Sequence, residues 1–350
     1  MHVPDGFINA PVSAVTGVVA AGAIAVSLKG ARRELDEKTA PLAGLVAAFI
    51  FAVQMLNFPV AAGTSGHLLG GALAAILVGP YTGVLCVSVV LLMQGILFAD
   101  GGLTALGVNI TDMAIVTTVV AYAVFRGLVK VLPRGRRSIT AAAFVSALLS
   151  VPAAAVAFTL LYAVGGTTDV SIDKVATAMV GVHILIGLGE AAITALTVGA
   201  VIAVRPDLVY GARGLTQQLK LRVNGELVDA PTAAPAPVAA RTSHRKVWIT
   251  GLVASLVLAG FVSFYASASP DGLEKVAEDQ GIAEAAKAHS AADSPLADYG
   301  VKDVSNARIS GGLAGVIGVG VTVVAGTGVF WAVRRRRTAD APEVSRSQVA

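Results

Sequence analysis

Charged side chains are scarce in this sequence. Only 14% of its 350 residues are Asp, Glu, Lys or Arg, whereas soluble domains average about 25%. Hydrophobic residues make up 55% of the chain, and the mean hydropathy is +0.76. So few solvating side chains are atypical of a soluble enzyme, and a disordered chain would be less hydrophobic. The composition therefore predicts a membrane protein.

Further absences narrow the class. The single cysteine, Cys86, has no partner for an internal disulfide, which excludes a disulfide scaffold. No GxxxxGK[ST] phosphate loop occurs, so the chain should not hydrolyse ATP itself. It has neither an HExxH motif nor paired intramembrane aspartates, which argues against a membrane metalloprotease. The net charge is only +4 and the basic residues are spread between loops, so no nucleic-acid partner is expected.

Uncharged stretches locate the helices that cross the bilayer. A spanning helix needs about 20 mostly apolar residues, because the hydrocarbon core is about 30 Å thick. The stretch from Thr39 to Ala99 carries no Asp, Glu, Lys or Arg, and glycine-rich turns at 63–67 and 79–83 divide it into three. The predicted spans are about 6–28, 41–60, 67–79, 80–99, 105–128, 139–164, 174–204, 247–267 and 310–333. The predicted fold is all-α, a polytopic bundle of seven helices followed by two C-terminal transmembrane helices.

The loops between these spans predict domains and orientation. The boundaries are a transmembrane domain at 1–205, a linker at 206–246, a two-helix domain at 247–333 and a basic tail at 334–350. The linker includes an alanine- and proline-rich stretch at 230–240, which should be extended and flexible. With the N-terminus outside, the inner segments hold 21 Lys and Arg residues and the outer ones 5. This bias predicts a multi-pass protein of the cell membrane with an extracytoplasmic N-terminus and a cytoplasmic C-terminus.

The N-terminus carries a histidine at position 2. The first eight residues, MHVPDGFI, contain no Lys or Arg and do not resemble a secretory signal. We expect Met1 to be retained, because a bulky second residue blocks its removal. The free α-amine, the amide nitrogen of His2 and its imidazole Nδ1 can then close two fused chelate rings around one metal ion. These three nitrogens lie nearly in one plane and leave one in-plane position open.

Such a chelate is selective for certain metals. The amide must lose its proton, which requires an ion that prefers square-planar nitrogen ligands, such as Ni²⁺ or Cu²⁺, with Co²⁺ tolerated. The candidate for the fourth position is His67 in the segment GTSGHLLGG, which the predicted topology places on the same side as the N-terminus. From spacing alone, a frayed terminal histidine and an ordinary interfacial histidine are the simpler interpretation.

Several motifs together resemble a known family. MHVPDGFI, GTSGHLLGGALAAILVGPYTGVL, LLMQGILFADGGLTALGVN and HILIGLGEAAIT occur in the order found in the substrate-binding membrane component of cobalt/nickel transporters of the energy-coupling-factor class. The resemblance covers about residues 1–205. The C-terminal part, with SPDGLE at 269–274, resembles the small accessory component of the nickel-type systems. The chain therefore looks like a fusion of the two.

The resemblance implies a metal-capture protein rather than an enzyme. Ni²⁺ or Co²⁺ would be its transported substrate, held square-planar by the Met1 amine, the amide and imidazole of His2, and His67. The implied partners are a transmembrane coupling subunit and a cytoplasmic ATPase dimer, with the lipid bilayer around the protein. Planar ligation and the SPDGLE segment favour nickel, while cobalt uptake for cobalamin synthesis by the same mechanism stays open. A membrane metalloenzyme is the alternative from another class.

Three residues are expected to support these ligands. Ser65 lies in the GTSGH motif. Asn109 matches the family pattern and should fix either the His67 ring or the N-terminal segment. Asp112 stands where the family usually has a second asparagine, so two roles remain open for it. It either balances the charge of the ion or reaches the outer membrane interface.

The remaining histidines suggest weaker roles. His183 and Glu190 are seven residues apart and share one helix face, where a hydrogen bond between helices is favoured over a role in metal transit. His244 and His289 should be solvated, and contact of His289 with arriving metal stays open. A channel would need a polar stripe through several spans, for which only Asn109, Asp112, His183 and Glu190 are available.

Overall fold

The part of the chain that the structure describes folds as a bundle of long helices with almost no β-structure. The computed structural model describes residues 1–35, 39–61, 63–213, 220–223, 226–229 and 244–339. The helices are α1 (Ala10–Glu34), α2 (Thr39–Gln54), α3 (Gly71–Val78), α4 (Pro80–Leu97), α5 (Leu106–Asn109), α6 (Thr117–Val131), α7 (Arg136–Gly165), α8 (Ile172–Val204), α9 (His244–Gly260), α10 (Gly272–Gln280) and α11 (Ala307–Ala339). Most of the predicted linker, including 230–240, and the tail beyond 339 lie outside the described residues.

The strands are short and form two antiparallel pairs. β1 (Phe58–Pro59) pairs with β2 (Ser65–Gly66), and β3 (Lys220–Val223) pairs with β4 (Glu226–Asp229). The first pair shapes the loop between α2 and α3. The second lies in the segment that joins the two halves of the chain.

The predicted all-α membrane class is confirmed. Within the described residues, seven helices are long and apolar enough to cross a bilayer: Ala10–Glu34, Pro80–Leu97, Leu106–Val131, Arg136–Gly165, Ile172–Val204, Arg245–Tyr265 and Ala307–Arg335. The third of these is continuous through a π-helical segment, Ile110–Val116. With α2 and α3, the first part of the chain has seven helices, and α9 and α11 follow them, as predicted.

Two of the nine expected spans, α2 and α3, are too short to be among these seven helices. α2 has 16 residues and ends at Gln54, and α3 has only eight, so α3 is about 12 Å long. The residues expected to begin the third span, 67–70, are not helical. Gly70 explains this boundary, because its φ of +90° is a left-handed conformation that a helix does not continue through.

The N-terminal segment is also different from the prediction. The first span was expected to begin at about residue 6, but α1 begins at Ala10 behind the N-cap Asn9, whose side chain accepts a hydrogen bond from Val12 N. Residues 1–8 run back into the protein, and only 2% of Met1 is exposed. A β-bridge between Ile8 and Gly166 fixes the C-terminal end of this segment.

The C-terminal part packs on the same bundle. α11 and α9 both contact α2. The α2–α11 crossing is close because glycines replace side chains there: a Cβ on Gly318 would lie 2.1 Å from the Phe51 ring. The chain between α9 and α11 returns over the end of the bundle where Met1 lies, with α10 against α8. This arrangement places SPDGLE next to the N-terminus.

Candidate metal centre

The α-amine of Met1 lies inside the protein and touches two side chains. Its nitrogen is 2.6 Å from His67 Nε2 and donates to Asp271 Oδ2 at 2.5 Å. The His67 Nε2 atom is 3.4 Å from the same carboxylate oxygen. Three potential metal-binding atoms, from residues far apart in sequence, therefore meet at one point.

Backbone contacts orient the His67 ring. His67 Nδ1 donates to the carbonyl oxygen of Leu68 at 3.0 Å, and a carbonyl can only accept. The proton of the neutral ring is therefore on Nδ1, and the lone pair of Nε2 points at the amine. A histidine fixed by its other nitrogen in this way is typical of metal ligands.

His2 lies beside His67 and is held by an aspartate. The two imidazole rings stack with centroids 5.1 Å apart, and His2 Nδ1 is 2.8 Å from Asp100 Oδ1. Tyr299 donates its hydroxyl to the other oxygen of Asp100 at 2.5 Å. Burial alone would raise the pKa of Asp100, but the charge and hydrogen bond of His2 and the bond from Tyr299 lower it to about 2. Asp100 is therefore an anion that orients a proposed ligand.

The Asp271 carboxylate is oriented by the helix that it caps. Its Oδ1 accepts from Glu274 N at 2.8 Å, and Glu274 Oε2 accepts from Asp271 N at 2.8 Å, which completes a capping box at the start of α10. Oδ2 is left to face the amine. Burial would raise the pKa of Asp271, yet the positive charge of the α-amine holds it well below its usual range.

The rest of the N-terminal segment is held as if it were a β-strand. Asn109 accepts from Val3 N at 2.7 Å and donates to Val3 O at 3.1 Å, while Gly102 N also donates to Val3 O. Asp5 accepts from both the amide and the hydroxyl of Thr104. Of the two roles expected for Asn109, the contacts are those of a residue that holds the N-terminal segment.

Ser65 joins the two parts of the chain rather than touching the ligands. Its hydroxyl donates to Ser269 O at 2.8 Å, and its amide donates to Pro270 O at 2.8 Å. Gly272, the first residue of α10, packs against α8, because a Cβ added to it would be 2.7 Å from the side chains of Val182 and Ile186 in that helix. These contacts seat the SPDGLE segment against the His67 loop and α8.

Glu190 and His183 lie on the α8 face that meets this loop. Both carboxylate oxygens of Glu190 accept backbone amides, from Leu69 at 2.7 Å and from Gly70 at 3.1 Å. His183 Nδ1 donates to Met179 O within its own helix. Its Nε2 has no hydrogen-bond partner among the described residues. Glu190 therefore links α8 to the segment before α3. His183 was also expected to bond a neighbouring helix, but its hydrogen bond stays within α8.

Asp112 is inside the bundle, so the interface alternative is wrong for it. Its side chain is fully buried in the π-helical segment, and neither carboxylate oxygen has a hydrogen-bond partner in the part of the chain that the structure describes. Its proposed role in balancing the charge of the ion stays a prediction.

His289 is not simply solvated, as had been expected: it donates to Gly101 O and accepts from Ala291 N. The side chain of His244 lies outside the described residues.

A cavity of about 670 Å³ opens beside these groups. His2, His67 and Asp271 line it. Its other ionisable side chains are mostly acidic: Asp100, Glu274, Asp298, Tyr299 and Arg308. A cavity lined in this way attracts cations. Among the described residues, no three His, Cys, Asp or Glu side chains are arranged to hold a metal ion.

Three residues of this cluster were not predicted from the sequence: Asp100, Asp271 and Tyr299. Asp100 and Asp271 both lie within motifs that carried the family resemblance, FADGG and SPDGLE, but nothing in their spacing relates them to His2 or Met1. Tyr299 lies in no motif. Only the return of the C-terminal segment over the bundle brings these residues together.

The fold and this buried cluster define a component of a membrane transporter. A model of the cobalt uptake substrate-specific transmembrane region matches residues 2–208, and a model of the PDGLE domain matches residues 245–335. The chain belongs to the family of the first and carries the second as a C-terminal domain.

Named relatives agree with this assignment. The fused nickel transport protein NikMN of Rhodobacter capsulatus is 32% identical over 95% of this chain and 98% of its own length. The cobalt transport protein CbiM of Sorangium cellulosum is 32% identical over 60% of this chain and 94% of its own. The crystal structure of a truncated transition metal transporter superposes with a TM-score of 0.51 at 27% identity, over 58% of this chain and 99% of that one. The relatives are transport proteins, so the chain is a transporter component rather than an enzyme.

Proposed function

We propose that this protein is the substrate-capture component of an energy-coupling-factor importer for Ni²⁺ or Co²⁺. The metal would be held square-planar by four nitrogens: the Met1 amine, the His2 amide and Nδ1, and His67 Nε2. The observation that carries the proposal is the buried α-amine, 2.6 Å from His67 Nε2, in a chain whose second residue is histidine.

The spacing of the amine and His67 Nε2 suits a planar ion. Metal–nitrogen bonds of about 2 Å place neighbouring ligands of a square plane about 2.8 Å apart. The amine and His67 Nε2 are close to this distance already. His2 must release Asp100 with Nδ1 to join them, and its other nitrogen can then donate to a carboxylate, as metal-bound histidines usually do.

The proposed partners follow from what the chain does not carry. It has no phosphate-binding loop, so a cytoplasmic ATPase dimer would supply the energy and a transmembrane coupling subunit would transmit it. With the N-terminus extracytoplasmic, the cavity faces the source of the metal. Nickel is favoured by planar ligation and by similarity to a fused nickel transport protein, while a relative named for cobalt keeps cobalt uptake as the second candidate.

Metal titration of the full chain tests the ligand set. Removing the group that hydrogen-bonds the second ring nitrogen of a metal-bound histidine costs about 10–100-fold in metal affinity. Removing the ligand itself should cost more, so His2→Ala and His67→Ala should each weaken Ni²⁺ binding by at least about 100-fold. An extension placed ahead of Met1 should do the same, because it removes the amine. Equilibrium dialysis with metal analysis measures the affinity, and the visible absorption of planar Ni²⁺ reports the geometry.

The matched control is the same extended protein after cleavage immediately before Met1. Cleavage should restore both the affinity and the planar spectrum. Tight binding of one Ni²⁺ with that spectrum before cleavage would refute the proposed site. Competition between Ni²⁺ and Co²⁺ in uptake, with the ATPase and coupling subunits co-expressed, decides between the two candidate metals.

A further inference from the structure

Asp271 contributes an oxygen to the cluster that the planar nitrogen site does not need. We propose that Asp271 is a loading ligand: arriving Ni²⁺ or Co²⁺ is first bound by Asp271 Oδ2 together with the Met1 amine and His67 Nε2, and is then passed to the planar nitrogens. This inference rests on the proposed function and adds a step that precedes it.

The distances among the three atoms carry the proposal. The amine nitrogen is 2.5 Å from Asp271 Oδ2 and 2.6 Å from His67 Nε2, and the last two atoms are 3.4 Å apart. Two ligands bound to one ion at about 2.05 Å lie about 2.9 Å apart at right angles and about 3.3 Å apart at the tetrahedral angle. One ion can therefore bind all three atoms after small movements. The planar chelate, in contrast, requires His2 to leave Asp100.

Asp271 is also aimed at this point by its own helix. The bond from Glu274 N to Oδ1 fixes the carboxylate, so that Oδ2 faces the amine. The carboxylate lines the acidic cavity through which a hydrated cation would arrive. An oxygen ligand replaces bound water more readily than an amide nitrogen, which must first lose a proton.

The two steps have defined ligand and proton balances. In the first, the amine releases one proton to water, and the ion exchanges three waters for the amine, His67 Nε2 and Asp271 Oδ2. In the second, the His2 amide and His2 Nδ1, which donates to the Asp100 carboxylate, each release one proton to water, while His2 Nε2 keeps its proton. The amide nitrogen and Nδ1 then bind, and Asp271 and the remaining waters leave. Nickel changes from six-coordinate and paramagnetic to planar and diamagnetic, so the two states are distinguishable.

Stopped-flow mixing of the purified full chain with NiCl₂ tests the rate. Asp271→Asn keeps an oxygen for the helix cap but replaces the anionic ligand oxygen, and should slow the appearance of the planar band by at least about tenfold. Asp279→Asn is the matched control, since it is the same chemical change in α10 at a residue paired with Lys275 on the exposed side. Its rate should stay within about twofold of wild type. Equal rates for Asp271→Asn and wild type would overturn the proposal.

A second variant tests for the loading state itself. His2→Phe lacks the imidazole for the planar chelate but keeps the Met1 amine, because its second residue is still bulky, and it keeps His67 and Asp271 as well. It should bind Ni²⁺ weakly in the six-coordinate, paramagnetic form, and adding Asp271→Asn should abolish this binding. Binding by His2→Phe that the second substitution leaves unchanged would contradict the proposal, whether or not the single variants fold equally well. Wild-type protein without a planar signature would refute the proposed function instead.

Discussion

At the scale of single residues, the candidate metal centre depends on side chains that hydrogen-bond the backbone beside the proposed ligands. Asn109 satisfies both the amide and the carbonyl of Val3, immediately after the chelating residue. Leaving a buried backbone amide without a hydrogen-bond partner costs about 1–3 kcal/mol of folding free energy. The two bonds from Asn109 therefore stabilise the position of the N-terminal segment. They also determine where the Met1 amine lies.

Asn109→Ala should therefore weaken metal binding without removing a ligand. We expect a loss of about 10–100-fold in Ni²⁺ affinity, the range found for residues that orient ligands. Asn9→Ala is the control, because it removes the N-cap of α1 and costs about 1 kcal/mol of stability, but touches nothing near the metal. Equal affinities for the two variants would show that Asn109 acts only on stability.

At the scale of elements, the non-helical segment 67–70 before α3 explains why His67 is available to bind a metal ion. A helix through residues 67–70 would pair their backbone groups internally. Instead Glu190 accepts the amides of Leu69 and Gly70, and Gln54 donates to Leu69 O at 3.0 Å. Non-helical backbone in a membrane protein is tolerated where such side chains satisfy it.

Glu190→Gln should disturb this segment strongly. The amide group of glutamine has one acceptor oxygen, so one of the two backbone amides would face an NH₂ group. We expect a loss of about 1–3 kcal/mol in the free energy of unfolding, together with weaker Ni²⁺ binding because His67 shifts. Denaturation in detergent and metal titration measure the two effects. Unchanged affinity in a destabilised variant would show that the segment does not position His67.

The contact between α10 and α8 depends on Gly272. A Cβ there would lie 2.7 Å from both Val182 and Ile186, so Gly272→Ala should push α10 away and lower the unfolding temperature of the full chain. Gly320→Ala is the matched control, because a Cβ at this α11 position meets nothing within 4 Å and alanine favours a helix. A drop in the unfolding temperature for Gly320→Ala but not for Gly272→Ala would contradict this account.

At the scale of the whole molecule, the uneven distribution of Lys and Arg predicts the orientation. With Cys86 replaced by alanine, cysteines introduced at Ser290 and Ser347 can be labelled separately. An impermeant thiol reagent added to intact cells should label Ser290→Cys and leave Ser347→Cys unlabelled until the membrane is opened. The reverse pattern would place the cavity on the cytoplasmic side and refute the direction of transport.

Much of the architecture could be predicted from the sequence, and particular elements show where prediction stopped. Long uncharged runs located α4, α7 and α8 to within a few residues, because the cost of charge in the bilayer marks the ends of a span. α3 was predicted too long, because an apolar run does not reveal that its first residues bind Glu190 from another helix. His2 and His67 could be named as candidates, but the aspartates beside them could not.

The sequence by itself determined the membrane class, the order of the helices, the family and the presence of a histidine at position 2. These properties depend on composition, local runs and motifs, which are visible along the chain. Only the tertiary structure decided that the N-terminus folds inward and that Asp100, Asp271 and Tyr299 meet there. Asp271 is 270 residues from the amine that it contacts. Such contacts depend on how helices pack and how a distant segment returns, and local sequence carries no record of either.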